Sequence, residues 1–304
     1  MKSSCFGTLI LLMLLVTTPV PAQPTMDQLW PNPDGLRLEY EYHWSDAITG
    51  QSMVSPAYLR LTGTVETAGG TAQYLLAGHD DLPPPPVGAA PPVGGFLGAV
   101  WRARPDLRTA IEHRITQTGK DAAETWNPYL LHDGYFLKTA TAVEMWQPDW
   151  DHATWTYLQS DISVGASFTH QLIPELASDI FLHGTVGAIG ATVITPLTVY
   201  DDAVRVDYLI DMGQGVLMDE EGNAIGTAHG EIRGHVHYVP GVGPVEMFEQ
   251  FLPWETVDCG AGECPPGEWT GWVGQVVETE SLAATAAPVP SEAVSWGEVK
   301  TLFR

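Results

Sequence analysis

The sequence predicts a mainly β protein, in the form of one antiparallel curved sheet or half-barrel with few short helices. Apolar and polar residues alternate with period two in most segments, and turn-forming residues separate those segments. Helical patterns are rare by comparison. Antiparallel sheets with one buried and one solvated face produce such a pattern. With 44% hydrophobic residues among 304, the chain can also bury a core.

The alternation is clearest in residues 36–43, where Leu36, Leu38, Tyr40 and Tyr42 alternate with polar residues. This predicts a half-buried strand. Further strands are predicted over residues 57–66, 192–200, 204–211, 230–238 and 245–252.

Turns and breaks are predicted between these strands. Residues 219–223 and 240–243 carry turn formers between apolar runs, which favours hairpins. Short helices are predicted over 121–127, from a capping box, and over 171–181. Residues 81–95 are rich in proline and predict an extended loop within a single β-rich domain spanning 24–281.

Residues 1–22 are typical of an export signal. Lys2 precedes an apolar run over 9–16, and the small residues of Val20-Pro21-Ala22 suit a cleavage site. The run is too short to cross a bilayer. We therefore expect an exported, bacterial protein of the periplasm, cell surface or medium, with no transmembrane span in the mature chain.

Charge and cysteines limit the function further. A formal net charge of −24 argues against nucleic-acid binding, because phosphates would repel the chain. Cys259 and Cys264 have C-x₄-C spacing and predict a local disulfide in an oxidising compartment. A zinc site is the alternative, but it needs further ligands, and no histidine lies between or just beyond them. We expect no cofactor.

The C-terminal region has the composition of a spacer followed by a tail. Residues 282–293 are rich in Ala and Pro and predict a flexible linker. Residues 294–304 form a capped apolar tail, similar in layout to C-terminal sorting or docking tags of exported bacterial proteins. The tail could bind a docking partner or pack back on the domain.

Three histidines form the strongest candidate metal site. On a strand, His229, His235 and His237 share one face. The H-x-H pair His235 and His237 can hold a metal ion, with either His229 or a carboxylate from a neighbouring strand completing the set of ligands. Arg233 in the middle of that face argues against a cation, so the alternative is a solvated strand surface.

A second candidate site is aromatic and acidic. The Trp146–Tyr157 segment contains Trp150 and Trp155 beside carboxylates, as in many glycan-binding proteins. It predicts a carbohydrate-binding protein or hydrolase, although tryptophans in β proteins mostly fill cores. The chain lacks G-x-S-x-G, H-E-x-x-H, P-loop and dinucleotide motifs, so a non-enzymatic role is favoured.

One resemblance supports a third hypothesis. Residues 30–42 contain W-P…G-x-x-x-x-Y-x-Y, residues 197–208 are LTVYDDAVRVDY, and residues 238–245 match Y-x-P-G-V-G-x-V. This order resembles a group of uncharacterised exported bacterial envelope proteins, although Pro244 stands where that group has leucine. Some of them are similar to half-barrel lipoprotein carriers, in which a curved sheet holds a lipid.

The resemblance implies an apolar or amphiphilic ligand in the concavity of the sheet, and it implies no catalytic residues. The apolar strand faces would line that concavity, with Leu38, Tyr40, Val206 and Tyr208 as the expected contacts.

Overall fold

Twelve antiparallel strands, hydrogen-bonded in one open sheet, account for most of the residues that this computed structural model describes. Those residues are 23–31, 36–47, 50–79, 103–107, 134–146, 151–172, 179–218, 223–257, 276 and 278–290. The predicted mainly β class is confirmed. The strands are β1 (Leu36–Asp46), β2 (Gln51–Thr67), β3 (Gly70–His79), β4 (Gly134–Lys138), β5 (Ala142–Trp146), β6 (Ala153–Gln159), β7 (Ser167–Gln171), β8 (Phe181–Ile194), β9 (Val199–Met218), β10 (Ala224–Val239), β11 (Gly243–Val257) and β12 (Glu278–Pro290).

The strand order is β6-β5-β4-β3-β2-β1-β12-β11-β10-β9-β8-β7, so β12 lies in the middle, between β1 and β11. Leu282 is opposite Tyr42 on one side and opposite Met247 on the other. The prediction that 282–293 is a linker outside a domain ending at 281 is therefore wrong up to Pro290. Pairing with two neighbours overrides the weak strand propensity of this Ala-rich segment.

The sheet curls until its two edge strands approach each other. β6 contacts β7 and β8, and Thr156 Oγ1 on β6 lies 3.3 Å from His170 Nδ1 on β7. Within the described residues no ladder of hydrogen bonds joins these edges, so the sheet stays open.

A short helix, α1 (Met26–Leu29), covers one end of the concave face. Thr25 and Gln28 form a capping box at its start. Trp30, which follows it, is 4% exposed and stacks on Phe136 with ring centroids 5.3 Å apart. Lys138 Nζ donates to the Trp30 carbonyl and holds the helix end against β4.

The hairpin of β8 and β9 bends over the sheet. Its turn places the Leu197 amide 3.1 Å from the Ala284 carbonyl of β12, three strands away in the sheet order. Gly190 has a φ of +72° at this bend, a conformation that favours glycine. The single strand predicted over 192–200 is thus wrong, because the end of β8, a turn and the start of β9 occupy it.

Other local predictions have mixed outcomes. β10 pairs antiparallel with β9 and β11, which confirms both predicted hairpins. A helix across 171–181 is wrong at both ends, because Gln171 ends β7 and Phe181 begins β8. Five predicted features lie outside the described residues. They are the export segment 1–22, the loop 81–95, the helix 121–127, the cysteine pair Cys259 and Cys264, and the tail 294–304. In the part of the chain that is described, no helix is long and apolar enough to cross a membrane.

Candidate functional site

The candidate site lies on the outer, convex face of the sheet, on strands β10 and β11. Val236 and Tyr238 are fully buried on the concave side, so His235 and His237 point outward by alternation. The turn at 240–243 reverses the chain and places Glu246 directly opposite His237. Both histidines, and a carboxylate from a neighbouring strand as one alternative for the third ligand, were predicted from the sequence, but that carboxylate was not identified as Glu246.

The three side chains meet at one carboxylate oxygen. Glu246 Oε2 lies 2.5 Å from His237 Nδ1 and 3.3 Å from His235 Nε2. One ligand atom from each residue lies within 4.8 Å of the other two. The side chains are 12–20% exposed, so the group is partly desolvated yet reachable from solvent.

The electrostatics of the group favour a carboxylate. Burial by itself would raise the pKa of Glu246. Hydrogen bonds and charge interactions with His235 and His237 outweigh burial and lower that pKa to about 2. Glu246 is therefore ionised at any pH at which the protein is expected to work, which suits a metal ligand.

Basic side chains nearby are already paired with acids. Arg205, opposite His237 on β9, binds Asp207 at 2.7 Å. Arg233, whose position argued against a cation, binds Glu231 and lies over the ring of Trp254. Asp207 and Glu231 therefore neutralise the charges of Arg205 and Arg233. The positive charge of Arg233 is then a weaker argument against a cation at this site.

His229 belongs to a different group. Its Nε2 lies 3.0 Å from Asp211 Oδ1, and its ring stacks on Trp254 with centroids 5.0 Å apart. Of the two alternatives for the third ligand, His229 is therefore wrong, and a carboxylate from the neighbouring strand, Glu246, joins His235 and His237.

The predicted ligand contacts inside the concavity are core residues. Leu38, Tyr40, Val206 and Tyr208 are all buried in the main hydrophobic cluster. The Tyr40 hydroxyl donates to the Pro244 carbonyl at 2.7 Å. A cavity of about 20 Å³ beside Leu38 has room for roughly one water molecule. These positions therefore offer no opening of the size that a carrier needs.

The structure does not place the two predicted glycan contacts, Trp150 and Trp155, together on an exposed surface of the described residues. Trp155 is 2% exposed and packs against Tyr157, so it cannot stack on a sugar, and that part of the prediction is wrong. Trp150 lies outside the described residues.

A second polar group, which was not predicted from the sequence, lies on the concave face. Glu249, Glu278 and Glu280 are at most 2% exposed. Alternation with the buried Leu282 and Ala284 was the available signal for the two glutamates of β12, but residues 282–293 were predicted to be a linker, so the alternation was not continued past residue 281.

Comparisons with known proteins give little guidance. No protein-family model and no curated protein matches the chain. Among solved structures, a Bacteroides fragilis protein with a YmcC-like fold aligns at 10% identity over 84% of this chain and 98% of that one. The TM-score is 0.29, too low to support an argument about fold or function.

Proposed function

We propose that this protein is exported and binds a divalent transition-metal ion, of the Zn²⁺ or Cu²⁺ type, through His235, His237 and Glu246. The observation that carries the proposal is the convergence of two imidazole nitrogens and one carboxylate oxygen within 4.8 Å. Imidazole and carboxylate are common ligands of both ions.

The spacing of the donors fits such an ion with small adjustments. Zinc–nitrogen and zinc–oxygen bonds of about 2.0–2.1 Å in tetrahedral geometry separate neighbouring ligand atoms by about 3.3 Å. His235 Nε2 already lies 3.3 Å from Glu246 Oε2. His237 Nδ1, at 2.5 Å, would move outward by less than about 1 Å.

The backbone beneath the site supports it as well. All three ligands project from paired strands joined by a short turn, so their positions are held before any ion binds. Three protein ligands leave a fourth coordination position for water or for a second molecule. The signal-like segment 1–22 supports placing this binding outside the cytoplasm.

Calorimetric titration of the metal-stripped mature chain with zinc chloride and copper chloride tests the proposal. We expect one ion per chain, and His237→Ala and Glu246→Gln should each weaken binding by about tenfold or more, because each removes a direct ligand. His229→Ala is the matched control, since it removes an imidazole from the same face of β10 and should leave affinity unchanged.

Circular dichroism would establish that each variant is folded. Failure of the wild-type chain to bind either ion would overturn the proposal. So would a His229→Ala variant that loses as much affinity as His237→Ala.

A further inference from the structure

Two buried carboxyl groups face each other on the concave side of the sheet, opposite to the proposed metal site. Glu249 on β11 is paired across the strands with Glu280 on β12. Glu249 is 0% exposed and Glu280 is 2% exposed. Neighbouring residues on paired strands have Cβ atoms about 5 Å apart, so the two carboxyls are close enough to share a hydrogen bond.

The groups around this pair come from three strands, β1, β10 and β12. Glu278 on β12 accepts a hydrogen bond from Trp44 Nε1 on β1 at 2.6 Å. Tyr42 on β1 is fully buried and interacts with Glu280. Gly234 of β10 lies opposite Glu249 and offers no side chain. The described titratable groups that act on Glu280 are thus Glu249, Glu278 and Tyr42.

Two buried polar atoms on this face, in Ser55 and Glu280, also have unused hydrogen-bonding capacity. Ser55 on β2 is opposite Tyr42 and only 6% exposed, and its Oγ has no hydrogen-bond partner among the described residues. One oxygen of Glu280, Oε2, is likewise buried and has no partner within the part of the chain that the structure describes. Two ionised carboxylates here would add repulsion to this unsatisfied environment, whereas a protonated carboxyl supplies a donor.

Burial and repulsion between like charges therefore favour a single negative charge on the pair Glu249 and Glu280. Burial raises the pKa of Glu280 well above its ordinary value, and the charges of Glu249 and Glu278 raise it further. A hydrogen bond with Glu249 acts in the same direction. Like charges at such short range in a protein interior resist simultaneous ionisation.

We propose that Glu249 and Glu280 share one proton in the folded protein near neutral pH, and that this pair makes the stability of the sheet depend on the surrounding pH. The unfolded chain releases the same proton above the ordinary glutamate pKa of about 4.3. Folding therefore retains a proton that unfolding releases. The folding equilibrium constant should fall by up to about tenfold for each pH unit until the folded pair ionises.

The location of the pair explains the structural effect. Deprotonation would place two charges between β11 and β12, next to β1, at the centre of the strand order. Repulsion there would loosen the pairing that joins the two halves of the sheet.

Urea unfolding of the mature chain between about pH 5 and about pH 9 tests this, with Glu280→Gln as the variant. Glutamine mimics the neutral acid, so the variant should lose most of the decline in stability with pH and unfold at higher urea than wild type at the alkaline end. Glu39→Gln is the matched control, because Glu39 lies on the outer face of β1 and is half exposed. The control should keep the pH dependence of wild type. If Glu280→Gln keeps that dependence in full, the proposal is overturned.

Infrared spectroscopy of the wild-type chain keeps the test decisive if the variant does not fold. A carbonyl band of a neutral carboxylic acid should persist at neutral pH, shift in D₂O and disappear on unfolding. Its absence from the folded wild-type protein would overturn the proposal independently of any variant.

Discussion

The hydroxyl groups of Tyr208 and Tyr238 lie 2.9 Å apart inside the sheet, and Tyr208 also donates a hydrogen bond to the Tyr157 carbonyl. Tyr157 belongs to the edge strand β6, whereas Tyr208 and Tyr238 belong to β9 and β10. The Tyr208 hydroxyl therefore connects β6, at one edge of the sheet, to β9 and β10, which lie towards the other edge.

Substituting Tyr208→Phe should loosen this connection. The change removes the donor but keeps the ring, so it leaves the buried Tyr157 carbonyl and Tyr238 hydroxyl short of one partner. We expect a loss of about 1–3 kcal/mol in the free energy of unfolding, measured by urea denaturation. Faster amide exchange in β6 should accompany it.

Tyr58→Phe is the control for that substitution. Its ring contact with the Arg37 guanidinium, 4.4 Å from the ring centre, does not need the hydroxyl. We expect a change within about 0.5 kcal/mol. Equal losses in the two variants would contradict the role assigned to Tyr208.

The buried tyrosines predict instability at alkaline pH. Burial raises the pKa of Tyr40, Tyr42 and Tyr208 well above the usual range, and it also raises that of Tyr238. Unfolded tyrosines ionise near pH 10. The folded state thus keeps protons that the unfolded state releases, so stability falls as pH rises above about 10.

Tyrosinate absorbance, followed together with circular dichroism, measures this effect. The four phenols should ionise only when the chain unfolds, giving a step in absorbance that coincides with loss of structure. Smooth ionisation of all ten tyrosines in a chain that is still folded would contradict the assignment.

Trp30 should be a major contributor to stability although it lies outside the sheet. It is 4% exposed and packs on Phe136, Tyr157 and Tyr238. Trp30→Ala should reduce the free energy of unfolding by about 3–5 kcal/mol, because it leaves a large cavity at one end of the core. Urea denaturation measures the loss.

Val54→Ala provides the comparison for Trp30, since Val54 is 59% exposed. It should change stability by less than about 0.5 kcal/mol. A Trp30→Ala variant as stable as Val54→Ala would mean that α1 does not cover the core in solution.

Much of the sheet could be predicted from sequence because buried and solvent-facing residues alternate along strands such as β1. β1 and β2 include the segments predicted from the pattern of Leu38 and Tyr40 and of residues 57–66. β12 could not be predicted in the same way, because its alanines carry little signal of their own. Its strand state comes from β1 and β11, which supply partners on both sides.

The candidate site was only half predictable. The H-x-H pair on β10 identified two candidate ligands, and a carboxylate from a neighbouring strand was one alternative for the third. Glu246 itself could not be singled out, because it is nine residues from His237 and belongs to the next strand. The predicted turn at 240–243 was the available signal, because a hairpin there pairs β10 with β11 and places Glu246 opposite His237. His229 was the wrong one of the two alternatives, since sharing a strand face does not bring side chains into contact over eight residues.

The central position of β12 constrains the order in which the protein can form. Its partner β1 lies near the beginning of the described chain, whereas β12 itself is the last described strand. Until Pro290 has been synthesised and released, β1 and β11 each keep an unpaired edge. Exposed edges invite pairing with other chains, and contacts so distant in sequence form slowly. Assembly of the described sheet is therefore a late event, and until β12 joins them the edges of β1 and β11 stay open to pairing with other chains.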